Sequence, residues 1–131
     1  MNNELKNLAK EEAENLRKNA TKKELSHLSL ADLDASNVHS CIYGQLTGSC
    51  FSTRAHKLID ACCTKVYKVN PKKLTNLIKS STLGDKPEDQ IVGYLRKYAY
   101  FSPLEKALLY MTYNQKSNLI SYLKGETNKL W

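Results

Sequence analysis

The sequence SNVHSCIYGQLTG, at residues 36–48, carries the clearest helical pattern in the chain. Its core-facing positions recur every three or four residues, which places them on one face of a helix. These positions are Val38, Cys41, Ile42, Gln45 and Leu46. Gly48 follows as a residue that can adopt the left-handed conformation that ends a helix. Gly44 costs about 1 kcal/mol relative to alanine inside a helix, so we expect it to mark a close crossing with another helix. The alternative is that residues 43–45 are extended.

Similar patterns, with capping residues or proline at their start, cover most of the remaining chain. Thr21 with Glu24, and Ser102 with Glu105, have the spacing of a capping box, and residues 29–32 offer a further start signal. The predicted helical segments are residues 3–19, a short helix or two turns after Thr21, residues 36–48, segments starting at Ser52, at Asn70-Pro71, at Pro87 and at Ser102-Pro103, and residues 115–124. Only residues 66–69 alternate as a short extended link. The sequence therefore predicts an all-α fold, a compact single-domain bundle of six to eight short helices over residues 1–131.

The two ends of the chain differ in character. Residues 1–20 form an amphipathic helix of mixed charge, which we expect to pack on the domain, at its periphery, or on a partner. Gly125 ends the last predicted helix, and residues 126–131 are predicted to be a tail. The chain has no run of about 18 apolar residues, and its N-terminal sequence lacks the apolar stretch of a secretory signal. We therefore expect a cytoplasmic protein that does not contact the membrane.

Positive charge is concentrated in the later part of the chain. The net charge is +7, from 20 Lys and Arg against 13 Asp and Glu. Residues 1–34 hold six basic and seven acidic side chains, whereas residues 35–131 hold fourteen basic and six acidic ones. Residues 61–84 contain five lysines and no acid. A surface with charge of one sign attracts polyanions, although such lysines can also simply keep a small domain soluble.

Aromatic side chains are interleaved with this positive charge. Tyr67 lies between Lys65 and Lys68, and tyrosines surround Arg96 and Lys97. Cations for phosphates and flat rings for unstacked bases are what a nucleic-acid groove requires, but the same tyrosines suit a protein interface or the edge of a core. The residues that we expect to contact nucleic acid are Arg54, Lys57, Lys65, Tyr67, Lys68, Asn70, Lys72, Lys73, Lys79, Arg96 and Lys97.

The predicted helix start at Asn70-Pro71 is the most concrete anion site in the sequence. Its first turn would combine unpaired backbone amides with the ammonium groups of the two lysines that follow the proline. Residues 52–79 are also a candidate helix-turn-helix, but their link at residues 64–70 is longer than the usual three or four residues. Sequence-specific DNA recognition is therefore the minor alternative.

All four cysteines lie within 23 residues, close to two of the histidines. These side chains, Cys41, Cys50, Cys62, Cys63, His39 and His56, are weak candidates for a metal site. Zinc takes four such donors, but spacings of eight, eleven and no intervening residues differ from those of zinc motifs. Disulfides are not expected in a cytoplasmic protein. We expect the cysteines to pack as small apolar side chains and expect no cofactor, with a zinc-stapled structural domain as an alternative.

Catalytic motifs are missing from the sequence. It contains none of the patterns of phosphate-binding loops, dinucleotide-binding turns, helical zinc proteases or serine hydrolases. A carboxylate pair for acid–base chemistry would have to be assembled from Asp32, Asp34 or Asp60, for which the sequence gives no reason. A cysteine nucleophile would lack a recognisable orienting partner. We therefore expect a protein that is not an enzyme.

These observations favour a small basic binding module whose partner is nucleic acid or a nucleic-acid-binding protein. The alternative is a protein-interaction module, such as a small phage-type inhibitor of a host defence nuclease, which this chain matches in size and composition only. The oligomeric state stays open, because the apolar stripe of residues 5–16 fits a dimer interface as well as the core of its own domain.

Overall fold

The computed structural model describes residues 3–35, 37–62, 102–108 and 111–130. Within these residues the chain forms six α-helices and no strand, which confirms the all-α prediction for this part of the sequence. The helices are α1 (Asn3–Asn19), α2 (Lys22–Ser26), α3 (Ile42–Thr47), α4 (Thr53–Cys62), α5 (Pro103–Leu108) and α6 (Tyr113–Leu123). None of the described helices is both long and apolar enough to span a membrane. The helices predicted from Asn70 and Pro87, and the extended link at residues 66–69, lie outside the described residues.

Helix α1 packs against α4, α5 and α6. Its buried face carries Ala9, Ala13 and Leu16. Because the side chains of the two alanines are small, neighbouring helices can approach α1 closely. The sequence allowed this amphipathic helix to pack on the domain or on a partner. The structure shows it packed on three helices of the same chain.

Helix α3 begins at Ile42, six residues later than residues 36–48 predict. The backbone N–H groups of Ser40 and Cys41 both donate to the carbonyl of Asn37, which closes a tight turn before the helix. Cys41 is the N-cap, and its Sγ accepts from the N–H of Gly44 at 3.4 Å. Gly48 ends the helix with φ of 94°, as predicted.

Of the five residues assigned to the core face, Cys41, Ile42 and Leu46 are buried, whereas Val38 and Gln45 are partly exposed. Tyr43, which was not assigned to this face, is fully buried. Turn residues can continue a helical spacing without being helical.

Gly44 meets the backbone of the preceding turn. A Cβ built at this position would lie 2.3 Å from the carbonyl oxygen of Val38 and 2.8 Å from the carbonyl carbon of His39. The expected close approach is therefore present, but the partner is not another helix. The alternative that residues 43–45 are extended is wrong, because all three lie within α3.

The hydroxyl caps predicted at Thr21, Ser52 and Ser102 are present at the starts of three helices. Thr21 and Glu24 form the predicted capping box, and Ser52 Oγ accepts from the N–H of Ala55 at the start of α4. Ser102 Oγ accepts from the N–H of Glu105 at 3.2 Å. A second capping box, between Thr112 and Gln115, starts α6 two residues before the predicted position. The further start signal at residues 29–32 produces turns and no helix.

One hydrophobic cluster joins residues from all six helices and from the loops between them. Leu119, Ile120 and Leu123 of α6 are buried in it, as predicted, and Gly125 follows the helix with φ of 77°. Leu130 is also buried. The segment predicted to be a C-terminal tail therefore has no helix in its described part, but it contributes a side chain to the core.

We expect Gly44→Ala to lower the free energy of unfolding by about 3 kcal/mol or more, because the new methyl group would collide with backbone atoms that cannot move aside. Gly48→Ala is the matched control. Its Cβ would meet nothing within 4 Å, so that only the cost of the left-handed conformation, about 1–2 kcal/mol, applies. Urea unfolding followed by circular dichroism measures both values. Equal losses in the two variants would contradict the close approach.

Candidate functional site

Helix α4 separates a buried face from an exposed one. Its core face carries Ala55, Leu58, Ile59 and Cys62. The opposite face is exposed and carries Arg54, His56 and Lys57. Two residues predicted to contact nucleic acid, Arg54 and Lys57, therefore lie one turn apart on the same solvent-facing surface.

Arg54 binds a carboxylate of the N-terminal part of the chain. Its Nε and Nη2 donate to the two oxygens of Glu24 at 2.8 and 2.7 Å, and Nη2 also donates to the carbonyl of Asn19 at 3.3 Å. The side chain of Arg54 is 44% exposed and that of Glu24 is 16% exposed. This bidentate ion pair connects α4 to α2 and to the end of α1. The N–H groups with which Arg54 was predicted to contact phosphate thus donate to a carboxylate of the same chain.

The charge pair changes the acidity of both groups. The hydrogen bonds from the Arg54 guanidinium, with a smaller contribution from the backbone of Thr21, lower the pKa of Glu24 from 4.5 to about 2. The same hydrogen bonds raise the pKa of Arg54. Glu24 therefore carries its charge throughout the physiological range, and it serves the capping box and the ion pair at once.

The other residues predicted to contact nucleic acid lie outside the described residues. They are Lys65, Tyr67, Lys68, Asn70, Lys72, Lys73, Lys79, Arg96 and Lys97. The second half of the candidate helix-turn-helix, residues 64–79, lies there as well. Of the predicted surface, the structure describes only Arg54 and Lys57.

The metal-site candidates divide into buried thiols and exposed imidazoles. Cys41, Cys50 and Cys62 are buried, whereas His39 and His56 are exposed. No group of three or more possible ligands that could hold a metal ion occurs in the part of the chain that the structure describes. Cys63, the fourth cysteine, falls outside that part.

Burial makes the described thiols weak acids. Removal from water raises the pKa of Cys62 to about 12, and it also raises the pKa values of Cys41 and Cys50, with Glu105 as a further cause for these two. All three thiols are therefore protonated at neutral pH. The enclosure of these side chains in the core agrees with the predicted packing role. Cys41 adds a local role, since it caps α3.

Two carboxylates outside the predicted site residues are buried around Tyr43. Glu12 is 3% exposed and Glu105 is fully buried. The hydroxyl of Tyr43 donates to Glu12 Oε2 at 3.1 Å, and the backbone N–H of Tyr43 donates to Glu105 Oε1 at 3.2 Å. Glu12 Oε1 accepts from the N–H of Leu104 at 3.5 Å. We call Tyr43, Glu12 and Glu105 the tyrosine–carboxylate network.

The spacing of α1 contained a signal for the buried position of Glu12. It lies three residues after Ala9 and four before Leu16, so it shares the apolar face with both. Glu105 gave no such signal, because an acid at the third position of a helix is also what a capping box requires. The carboxylates considered from the sequence, Asp32, Asp34 and Asp60, are all exposed.

The tyrosine–carboxylate network holds three helices in place. Glu12 belongs to α1, Tyr43 to α3, and Glu105 to α5. Burial of a carboxylate is costly unless hydrogen bonds replace those of water. Here a hydroxyl and a backbone amide from other helices reach the two oxygens of Glu12, and a backbone amide reaches Oε1 of Glu105. The network therefore fixes both the position and the orientation of α3.

Tyr43→Phe tests the network by removing one hydroxyl and no packing area. We expect a loss of about 1–3 kcal/mol in the free energy of unfolding, because the buried Glu12 loses a hydrogen-bond donor. Tyr113→Phe is the control, since Tyr113 is 73% exposed. Chemical denaturation of the two variants gives the comparison. A loss no larger than that of the control would show that the hydroxyl contributes little.

Glu24→Gln tests the ion pair through the dependence of stability on pH. The folded state depresses the pKa of Glu24, so its contribution is complete above about pH 4.5 and disappears as the pH falls towards 2. We expect the wild type to be more stable than the variant by about 1 kcal/mol at neutral pH. This difference should shrink between about pH 5 and pH 3. Urea midpoints measured across this range check the result, and a pH-independent difference would contradict it.

Comparisons with known proteins do not place this chain in a family. Protein-family models, curated proteins and solved structures were searched, and none of them matches it.

Proposed function

We propose that this chain is a non-enzymatic binding module that contacts the phosphate backbone of a nucleic acid, free or within a nucleoprotein, through a lysine-rich face. The observation that carries the proposal is the run of 24 residues, 61–84, with five lysines and no acid. Phosphate contacts of lysine side chains supply most of the sequence-independent affinity of nucleic-acid-binding proteins.

The exposed face of α4 supports this proposal because it leads directly into the run. Lys57 is exposed on this face, and Asp60 is the last acid before the acid-free residues begin. The core face of the same helix is anchored by Leu58 and Cys62. A rigid helix therefore presents Lys57 at one end of the positively charged sequence.

The proposal includes a single compact helical domain in the cytoplasm. Contacts between distant parts of the sequence support the single domain. The N–H of Leu104 donates to Glu12, which lies 92 residues earlier, and the N–H of Tyr43 donates to Glu105 across 62 residues. The described segments before and after residues 63–101 thus share one core.

The test is the salt dependence of binding to a short fluorescent DNA duplex, followed by anisotropy. We expect Lys72→Ala/Lys73→Ala to weaken binding and to reduce the slope of log affinity against log salt by up to about 1.8, or about 0.9 for each lost phosphate contact. Lys124→Ala/Lys129→Ala is the charge-matched control, because it removes two exposed lysines that follow α6 and are not assigned to the proposed face. We expect the control to change the slope by much less.

Two outcomes would contradict the proposal. One is an affinity that does not fall between about 50 and 200 mM salt. The other is an equal effect of the two double variants, which would show a diffuse attraction to net charge rather than a defined face. A matching single strand, measured in parallel, distinguishes a preference for duplex from a preference for unpaired nucleotides.

A protein-interaction module is the second candidate function, favoured by two exposed aromatic side chains. Phe51 is 57% exposed and Tyr113 is 73% exposed. Large rings of this kind are enriched among the residues that dominate protein interfaces. Recovery of one stoichiometric partner protein that survives nuclease treatment and is lost in Phe51→Ser would favour this function over nucleic-acid binding.

A further inference from the structure

The edge of Arg54 that faces Glu24 is the edge with which arginine binds phosphate. Nε and Nη2 donate side by side to the two carboxylate oxygens at 2.8 and 2.7 Å. A phosphate group accepts from a guanidinium in the same two-pronged manner. Glu24 therefore occupies the position that a phosphate of the ligand would take.

We propose that Glu24 is an autoinhibitory partner of Arg54, which a nucleic-acid phosphate displaces when the chain binds. This inference rests on the proposed function, and it concerns the regulation of the same surface. Binding then exchanges one ion pair for another, so that Arg54 contributes less to affinity than its charge would allow. Glu24 weakens the binding of a single phosphate group to Arg54. A ligand with several phosphates is favoured, because it also binds neighbouring cations.

The position of the pair makes such an exchange feasible. The side chain of Arg54 is 44% exposed, so that a phosphate can approach its guanidinium from solvent, whereas the side chain of Glu24 is only 16% exposed. Lys57 is exposed one turn further along the same helix. A phosphate backbone bound at Lys57 would thus bring a second phosphate into the neighbourhood of Arg54.

Glu24 can be neutralised without removing its capping role. Glutamine serves as well as glutamate at the third position of a capping box, and Thr21 would keep its bond to the N–H of residue 24, which is 3.1 Å long in the structure. Glu24→Gln therefore tests the charge of the side chain, while α2 keeps its start.

The experiment compares three variants in the duplex-binding assay. Glu24→Gln should tighten binding about fivefold with little change of the salt slope, because Arg54 contacts a phosphate in both complexes and only the wild type must first release Glu24. Glu14→Gln is the control, since it removes one acid from an exposed position of α1 and gives the same net charge. It should change affinity by less than about twofold. Glu24→Gln/Arg54→Gln restores the wild-type net charge and should return affinity to the wild-type value.

Equal effects of Glu24→Gln and Glu14→Gln would overturn the autoinhibitory role, because they would show a response to net charge alone. So would a tighter affinity that persists in the double variant. These results are distinct from failure of the proposed function. In that case the wild type would show no salt-dependent binding, and the alanine variants at Lys72 and Lys73 would change nothing.

A measurement on the wild-type protein keeps the inference testable if Glu24→Gln unfolds. The Nε–H resonance of Arg54 is assigned in a nitrogen-15 spectrum by its disappearance in Arg54→Lys. We expect this resonance to shift on addition of the duplex, as its acceptor changes from carboxylate to phosphate. A resonance that stays in place at saturating duplex, while backbone resonances of α4 move, would overturn the proposal.

Discussion

The hydrogen bonds of Tyr43 to two buried carboxylates are the constraint on which the described structure depends. Helix α3 has only six residues, too few to be stable by itself. Its place is determined from outside, by Glu12 on α1 and Glu105 on α5. Each of these acids would be costly in the core without its donors, so the three helices have to assemble together. A core of purely apolar side chains would permit small shifts of α3 that this network forbids.

The difference between local and long-range interactions explains which features of the fold could be predicted from the sequence and which could not. Hydroxyl caps and glycine helix ends, such as Ser52 and Gly48, act over a few residues, and they were predicted correctly. The burial of Glu12 and Glu105 and the pairing of Arg54 with Glu24 depend on residues far apart in sequence. No local pattern contains that information. The helical period of α1 alone placed Glu12 on the apolar face, and a charged residue there required a partner that only the fold supplies.

The predicted binding surface shows a related limit of sequence reasoning. Counting charges assigned Arg54 and Lys57 equal roles, because both are basic and lie one turn apart. Their geometry makes them different, since Arg54 is held by Glu24 while Lys57 extends from the exposed face of α4. The charge of an arginine that is paired with a carboxylate of the same chain attracts other anions less than the charge of an exposed lysine does. Net charge therefore overstates the positive surface near α2.

The burial of Cys41, Cys50 and Cys62 has a practical consequence for following the dynamics of this protein. A thiol reagent can reach these sulfur atoms only when the surrounding helices separate, because each side chain is enclosed by the core. The rate at which each cysteine is alkylated in native buffer then reports the free energy of the opening that exposes it. Cys41 at the start of α3 and Cys62 at the end of α4 would act as two natural probes, one for each helix.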